Sequence, residues 1–213
     1  MIQIYYTEIE PVSVKKWTEY FQLMPPDIQQ RIKAYRKTEN KYQLLLGRLL
    51  LKQGMQELGA DEFHLKDIEY NDRNCPVWKG GIHFSISHSG RMVVCALSKE
   101  GRIGIDVEQV VPVELKNFGH VLNEFDKQKV RESARPYHTF FEIWTIKEAL
   151  TKMLEKGLAI DVLPINILAD YIIYRHQKFH FKRIETDPEF IVNIVSENNI
   201  LNSLRVNKII NEF

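Results

Sequence analysis

The stretch from Ile82 to Glu108 most constrains what this chain can fold into. Ile82, Phe84 and Ile86 alternate with His83, Ser85 and Ser87, and two apolar runs follow, Met92 to Leu97 and Ile103 to Val107. Ser89-Gly90-Arg91 and Glu100-Gly101-Arg102 separate them. A period of two broken by closely spaced glycine turns predicts a three-stranded antiparallel meander. Ahead of it lie a short strand at Ile2 to Tyr6 and a helix opening at Pro25-Pro26-Asp27, with Ile28, Ile32 and Tyr35 at helical spacing. A second helix is expected from about Glu39 to Leu58, its stripe Tyr42, Leu45, Leu46, Leu49 and Gln53, its cap Gly59. After the meander, Val110-Val111-Pro112-Val113 reads as a connector, because proline cannot continue a ladder. Helices near Asn123 to Glu132 and Tyr137 to Glu155 follow, the second preceded by Pro136 and ended by Gly157. Strand-like segments come next at Ile165 to Leu168, Ile172 to Tyr174, Lys178 to Phe181 and Phe190 to Val195. Helices then strands, twice over, predict an α+β protein with two similar α/β subdomains, 1–110 and 111–213, each an antiparallel sheet packed against helices.

Composition narrows the function classes. The 213 residues carry 29 Lys+Arg against 28 Asp+Glu, a net charge of +1 that speaks against a coat for nucleic acid. With 27% charged residues of both signs and 11% aromatics, the chain has the composition of a globular protein and not of a disordered one. Cys75 and Cys95 form no CxxC pair and read as free thiols. Met1 to Glu10 lacks the charged and apolar regions of a signal peptide, and Gly47 and Arg48 interrupt Leu44 to Leu51, so neither export nor a membrane span is expected. The expected compartment is the cytoplasm. The near-zero total conceals segregation: between residues 31 and 52 stand Arg31, Lys33, Arg36, Lys37, Lys41, Arg48 and Lys52 against Glu39 alone.

Three segments could carry chemistry. In Gly104-Ile105-Asp106-Val107-Glu108, residues two apart share a strand face, so Asp106 and Glu108 project together, opposite Ile105 and Val107. Two such carboxylates repel unless a cation lies between them, and Mg²⁺ prefers oxygen ligands; two solvated acids on an exposed strand are the plain alternative. Phe84-Ser85-Ile86-Ser87-His88-Ser89-Gly90 could bind phosphate through hydroxyls, imidazole and free N–H groups, or be an ordinary polar turn. A serine hydrolase reading finds no G-x-S-x-G elbow. In Trp144-Thr145-Ile146-Lys147-Glu148-Ala149-Leu150-Thr151-Lys152, Glu148 and Lys152 share a helix face with Lys147 flanking them, as an active pair or as a surface ion pair.

Together, FSISHSG at 84–90, GIDVE at 104–108 and WTIKEALTK at 144–152 resemble the 4'-phosphopantetheinyl transferase superfamily, in its surfactin-synthetase-type, single-chain pseudodimeric branch. PPDIQQRIKAYR at 25–36 and LLLG at 44–47 add a looser similarity. The resemblance implies transfer of the phosphopantetheine arm of coenzyme A to a serine of an acyl or peptidyl carrier protein, with release of adenosine 3',5'-bisphosphate. It implies Mg²⁺, with Mn²⁺ as a substitute, held by Asp106, Glu108 and Glu148. It places coenzyme A against Arg31, Arg73, Ser87, His88, Lys147 and Lys152, in a cleft between the subdomains of a monomer. Glu148 is then the candidate acceptor of the serine proton, directly or through a water, and Lys152 offsets charge on the leaving side. Asn40 and Gln43 stand uncharged where the family tends to carry Asp and Arg. Arg175, Lys178, Lys182 and Arg183 form an acid-free stretch that either steers an acidic carrier or guards a strand edge. Two other function classes stay open: a coenzyme A or carrier-protein binding module without turnover, and an oligomeric scaffold.

Overall fold

The computed structural model describes residues 1–155, 161–199 and 204–210. The chain runs β1 (Ile2–Glu8), α1 (Val14–Gln22), α2 (Pro26–Ala34), α3 (Thr38–Glu57), β2 (Glu69–Tyr70), β3 (Pro76–Val77), β4 (His83–Ser89), β5 (Met92–Ser98) and β6 (Ile103–Gln109). It continues through α4 (Glu124–Glu132), α5 (Pro136–Met153), β7 (Asn166–Ile167), β8 (Tyr171–Tyr174), β9 (Gln177–Ile184), β10 (Phe190–Ser196) and β11 (Leu204–Lys208). The fold is α+β, with helices packed on two largely antiparallel sheets. Among the described residues no helix is long and apolar enough to cross a membrane.

One sheet has the order β11-β1-β5-β4 and the other β6-β10-β9-β8-β7. Alternation along the central strands explains how they stack. On β5, Val93, Cys95 and Leu97 face a core shared with α1 to α3. Met92, Val94 and Ala96 face the other way, into a core shared with Ile103, Ile105 and Val107 of β6 and Val192 and Ile194 of β10. Ile191 and Val195 of β10 in turn point toward α4 and α5. The result is a layered molecule, helices outside and two sheets within. Arg91, in the β4–β5 turn, ties the layers at one end through Glu8, Asp187 and Glu189.

The sequence reading needs four corrections. The three-stranded meander does not form: β4 and β5 make a hairpin, but β6 pairs antiparallel with β10 from Val107↔Val192 to Gly104↔Val195. Val110 N–H extends that pairing to the Glu189 carbonyl. At the other end, β11 pairs parallel with β1, so each half of the chain lends a strand to the other's sheet. Helix α1 was unforeseen, although Ser13 supplies its N-cap by accepting from Lys16 N–H. The β2–β3 hairpin was unforeseen too. Gly59, at φ +72°, closes α3 as expected, with Ala60 N–H bonded to the Met55 carbonyl. Gly157 lies outside the described residues. Both cysteines are free thiols.

Candidate active site

Helix α5 lies directly on strand β6, and the first residue of GIDVE explains why. A Cβ on Gly104 would fall 1.9 Å from the Ala149 carbonyl oxygen and 2.5 Å from Met153 N, so only glycine lets the two backbones meet here. That contact brings the Glu148 and Lys152 face of the helix over the face of β6 that carries Asp106 and Glu108. The Lys152 ammonium sits 2.7 Å from Asp106 Oδ1 and 2.7 Å from Ser87 Oγ.

Asp106 is 4% exposed. Its Oδ1 also accepts from the Ser87 hydroxyl at 2.8 Å, while Oδ2 is buried with no hydrogen-bond partner. Glu108 is held at both oxygens: Oε2 accepts from the Ser89 hydroxyl at 2.6 Å and Oε1 from Trp144 Nε1–H at 3.3 Å. Burial pushes the Glu108 carboxyl above the usual carboxylate range; the Ser89 hydrogen bond opposes this and the Asp106 charge adds to it. Burial also raises Glu148, and Asp106 and Glu108 raise it further, with Lys152 opposing. The Asp106 charge thus resists ionisation of both Glu108 and Glu148. Among the described residues, however, no three acidic, imidazole or thiol side chains stand as a ready-made metal ligand set. The Lys152 ammonium lies against Asp106 instead.

The chemistry of these donors fits a hard divalent cation. An unpartnered buried carboxylate oxygen is costly, and two neighbouring carboxyls that hold their protons too tightly lack a positive charge. Asp106 Oδ2, Glu108 and Glu148 are the oxygen ligands such a cation would use.

The other expected contacts divide. Ser87 is buried and its hydroxyl is committed to Asp106 and Lys152, which leaves it little to offer a ligand. His88, the next residue, is exposed, and its imidazole is held below its ordinary value by the packing around it and by the Lys152 charge. Lys147 is a correction. It is 0% exposed, and its ammonium bonds Asp126 Oδ2 at 2.6 Å and the Val121 carbonyl at 2.7 Å, so it cannot meet coenzyme A. Arg31 donates to the Tyr70 hydroxyl at 2.7 Å, and Arg48, buried in α3, donates to the same oxygen at 3.0 Å with its own Nε unpartnered. Arg73 is exposed at the tip of the β2–β3 hairpin, where its backbone is fixed by its N–H on Asn71 Oδ1 and by its carbonyl, which accepts from the Cys75 thiol. Asn71 Nδ2 in turn reaches the Glu155 carbonyl, docking the hairpin on the end of α5. Gln43, the uncharged departure, is buried and donates to the Gly90 carbonyl at 2.9 Å.

Sequence reasoning assigned no role of their own to Ser89, Trp144, Gly104 and Tyr70, and took Arg48 only as part of the basic segment. The first three lie inside the quoted motifs, but their partners are 19, 36 and 45 positions away and no local pattern reveals them.

Comparison with known proteins points to one family. Residues 102–195 match a family model described as the 4'-phosphopantetheinyl transferase superfamily, and residues 10–100 match one described as 4'-phosphopantetheinyl transferase, N-terminal. The two abut between β5 and β6 and together cover most of the chain. The chain is 24% identical over 192 residues to the 4'-phosphopantetheinyl transferase Sfp of Bacillus subtilis (strain 168), covering 84% of this chain and 85% of that protein. It is 34% identical over 142 residues to the 4'-phosphopantetheinyl transferase gsp of Aneurinibacillus migulanus, covering 65% of this chain but only 57% of that protein. Among solved structures, the holo-[acyl-carrier-protein] synthase of Thermotoga maritima is similar over 45% of this chain and 61% of its own, with a TM-score of 0.35 and 20% identity. With two adjoining family models that together span residues 10–195, and relatives that share one activity in their names, the chain belongs to the 4'-phosphopantetheinyl transferase superfamily, in its Sfp-type branch.

Proposed function

We propose that this enzyme transfers the 4'-phosphopantetheine arm of coenzyme A to a serine hydroxyl of an acyl or peptidyl carrier protein, leaving adenosine 3',5'-bisphosphate. The observation that carries the reading is the half-satisfied charge cluster between β6 and α5: Lys152 on Asp106, one Asp106 oxygen without a partner, and two carboxyls with raised proton affinity. Mg²⁺, held by Asp106, Glu108 and Glu148, would neutralise charge on the diphosphate of coenzyme A.

The chain's own residues do the rest. Serine Oγ attacks the β-phosphorus, the bond from that phosphorus to the oxygen bridging the α-phosphate breaks, and the leaving nucleotide takes the electron pair. Lys152 stands ready to offset that charge. Glu148, on the helix face over Asp106 and Glu108, is the group to take the serine proton, directly or through a water. Arg31 and Arg48 converge on Tyr70 at the end of the basic segment and supply positive charge for the nucleotide phosphates. His88, near enough to Lys152 to feel its charge, is a further donor for the ligand.

A carrier of acidic, helical character also finds a seat. A groove of about 380 Å³ beside α4 has an apolar floor of Leu115, Leu122 and Val130 and a rim of Lys116, Lys127 and Arg131. Phe125 is 57% exposed on the same helix, with the Lys129 ammonium 4.5 Å over its ring. This surface, whose Lys116 and Lys127 are paired with Glu114 and Glu124, stands beside the stretch from 175 to 183, where Arg183 meets the Phe190 carbonyl and Glu142, as a second place for such a partner. The test is to incubate the protein with coenzyme A, Mg²⁺ and an apo carrier and then weigh the carrier. A gain of one phosphopantetheine is expected. Coenzyme A binding with no gain across several carriers would instead leave a binding module.

A further inference from the structure

Strand β4 presents three alternate serines to β6, and the three do different things. Ser85 Oγ accepts from Ile105 N–H at 3.1 Å, a tie to backbone alone. Ser87 Oγ bonds Asp106. Ser89 Oγ does both: it accepts from Gln109 N–H at 3.1 Å and donates to Glu108 Oε2 at 2.6 Å. The three hydroxyls bridge β4 to β6, two strands that share no ladder, since β6 pairs with β10. They are the polar seam between the two sheets.

We infer that Ser89 is a positioning residue that, with Trp144, clamps the Glu108 carboxylate so that its remaining lone pairs point at the cation. A carboxylate on a free side chain must give up rotamer freedom when it binds a metal. Here both oxygens are already engaged, Oε2 by Ser89 of the first half of the chain and Oε1 by Trp144 Nε1 of α5. Each oxygen keeps a further lone pair, so the donors aim the group without consuming it. The Ser89 hydroxyl cannot swing away, because Gln109 N–H holds it from behind. Gln43, bonded to the Gly90 carbonyl, steadies the turn that carries it. Outer partners of this kind set metal affinity in other proteins. The inference rests on the reading of Glu108 as a metal ligand.

Ser85 provides the control, because Ser85→Ala removes a rung of the same seam without touching a carboxylate. The measurement is Mn²⁺ binding in the presence of coenzyme A, followed by the electron paramagnetic resonance of free Mn²⁺, alongside thermal unfolding of each variant. Ser89→Ala is expected to weaken Mn²⁺ binding by about tenfold. Ser89→Thr, which keeps the hydroxyl, should restore most of it. Trp144→Phe, which leaves β4 untouched, should show a smaller loss in the same direction. Ser85→Ala should stay within about twofold of wild type. If Ser89→Ala and Ser85→Ala weaken binding equally, or Ser89→Ala binds as wild type does, the clamp is wrong while the metal site stands. If wild type binds no Mn²⁺ with coenzyme A present, the metal reading itself falls and the clamp with it.

Discussion

Helix α5 carries two lysine–aspartate pairs five residues apart, and they are finished to different degrees. Lys147 meets Asp126 at 2.6 Å and Lys152 meets Asp106 at 2.7 Å, so by distance the pairs are alike. Around Lys147 every group is used. The ammonium also takes the Val121 carbonyl, and the same Asp126 oxygen caps α4 by accepting Asn123 N–H. Around Lys152 the groups are not all used. Its side chain is 30% exposed, one Asp106 oxygen has no partner, and Glu108 and Glu148 crowd the same place. A completed buried pair fixes α4 to α5; an incomplete one leaves a vacancy for charge that the fold itself does not supply. The difference between structural and chemical ion pairs here lies in what remains unsatisfied, not in the bond that is made.

The comparison can be broken by substitution, beginning with the largest effect. Asp106→Ala should reduce transfer by at least about 10³-fold, measured as holo-carrier formed per minute, because it removes the cation ligand and the Lys152 partner together. Its unfolding midpoint should change little. Lys147→Met should act the other way round, costing about 3–5 kcal/mol of stability by leaving Asp126 buried and uncompensated. That corresponds to a midpoint lower by roughly 10 °C in a differential scan. The double variant Lys147→Met/Asp126→Leu should recover most of the loss, since an apolar replacement for both partners leaves no orphan charge. Lys152→Met should lower transfer by roughly 10²-fold with little change in midpoint. A Lys152→Met protein as unstable as Lys147→Met would erase the distinction between the pairs.

A smaller effect sharpens it through pH. The Glu148 carboxyl lies above its ordinary value of 4.5 in the folded protein, so from about pH 4.5 upward to that raised value the native state holds more protons than the unfolded chain. In this window Glu148 therefore takes stability away as pH rises, the reverse of a salt-bridged acid such as Glu8, which Lys208 and Arg91 hold low. In the presence of a chelator, Glu148→Gln should be more stable than wild type at pH 8, with the advantage shrinking at pH 4.5, measured by urea unfolding. Equal stability at both pH values would show that the acids do not strain one another. The smallest effect is expected for Gln43→Ala, about 1 kcal/mol from the lost bond to the Gly90 carbonyl.

Much of this was legible in the sequence, because strand alternation and helix spacing are local. The helices at 26–34, 38–57, 124–132 and 136–153 fall within a few residues of their expected places, and Asp106 and Glu108 do share one face of a strand. Pairing was not legible. Nothing between residues 82 and 108 says that β6 will leave its neighbours for β10, because that choice is decided by apolar residues nearly a hundred positions on. Lys147 was misjudged for a reason the spacing already held: it stands five positions from Lys152, and such positions on a helix point about 140° away from each other and cannot serve one site. Glu148 and Lys152, four apart, can. Gly104 looked like part of a motif and proves to be a packing requirement, since Ala149 occupies the space a side chain would need.

The most direct test of the central claim is where a cation goes. Crystals grown with coenzyme A and Mn²⁺ should show one strong anomalous peak on Asp106 Oδ2 with Glu108 and Glu148 around it, and the Lys152 ammonium drawn away toward the diphosphate. A Lys152–Asp106 pair left as it stands, with Mn²⁺ bound elsewhere or not at all, would contradict the account.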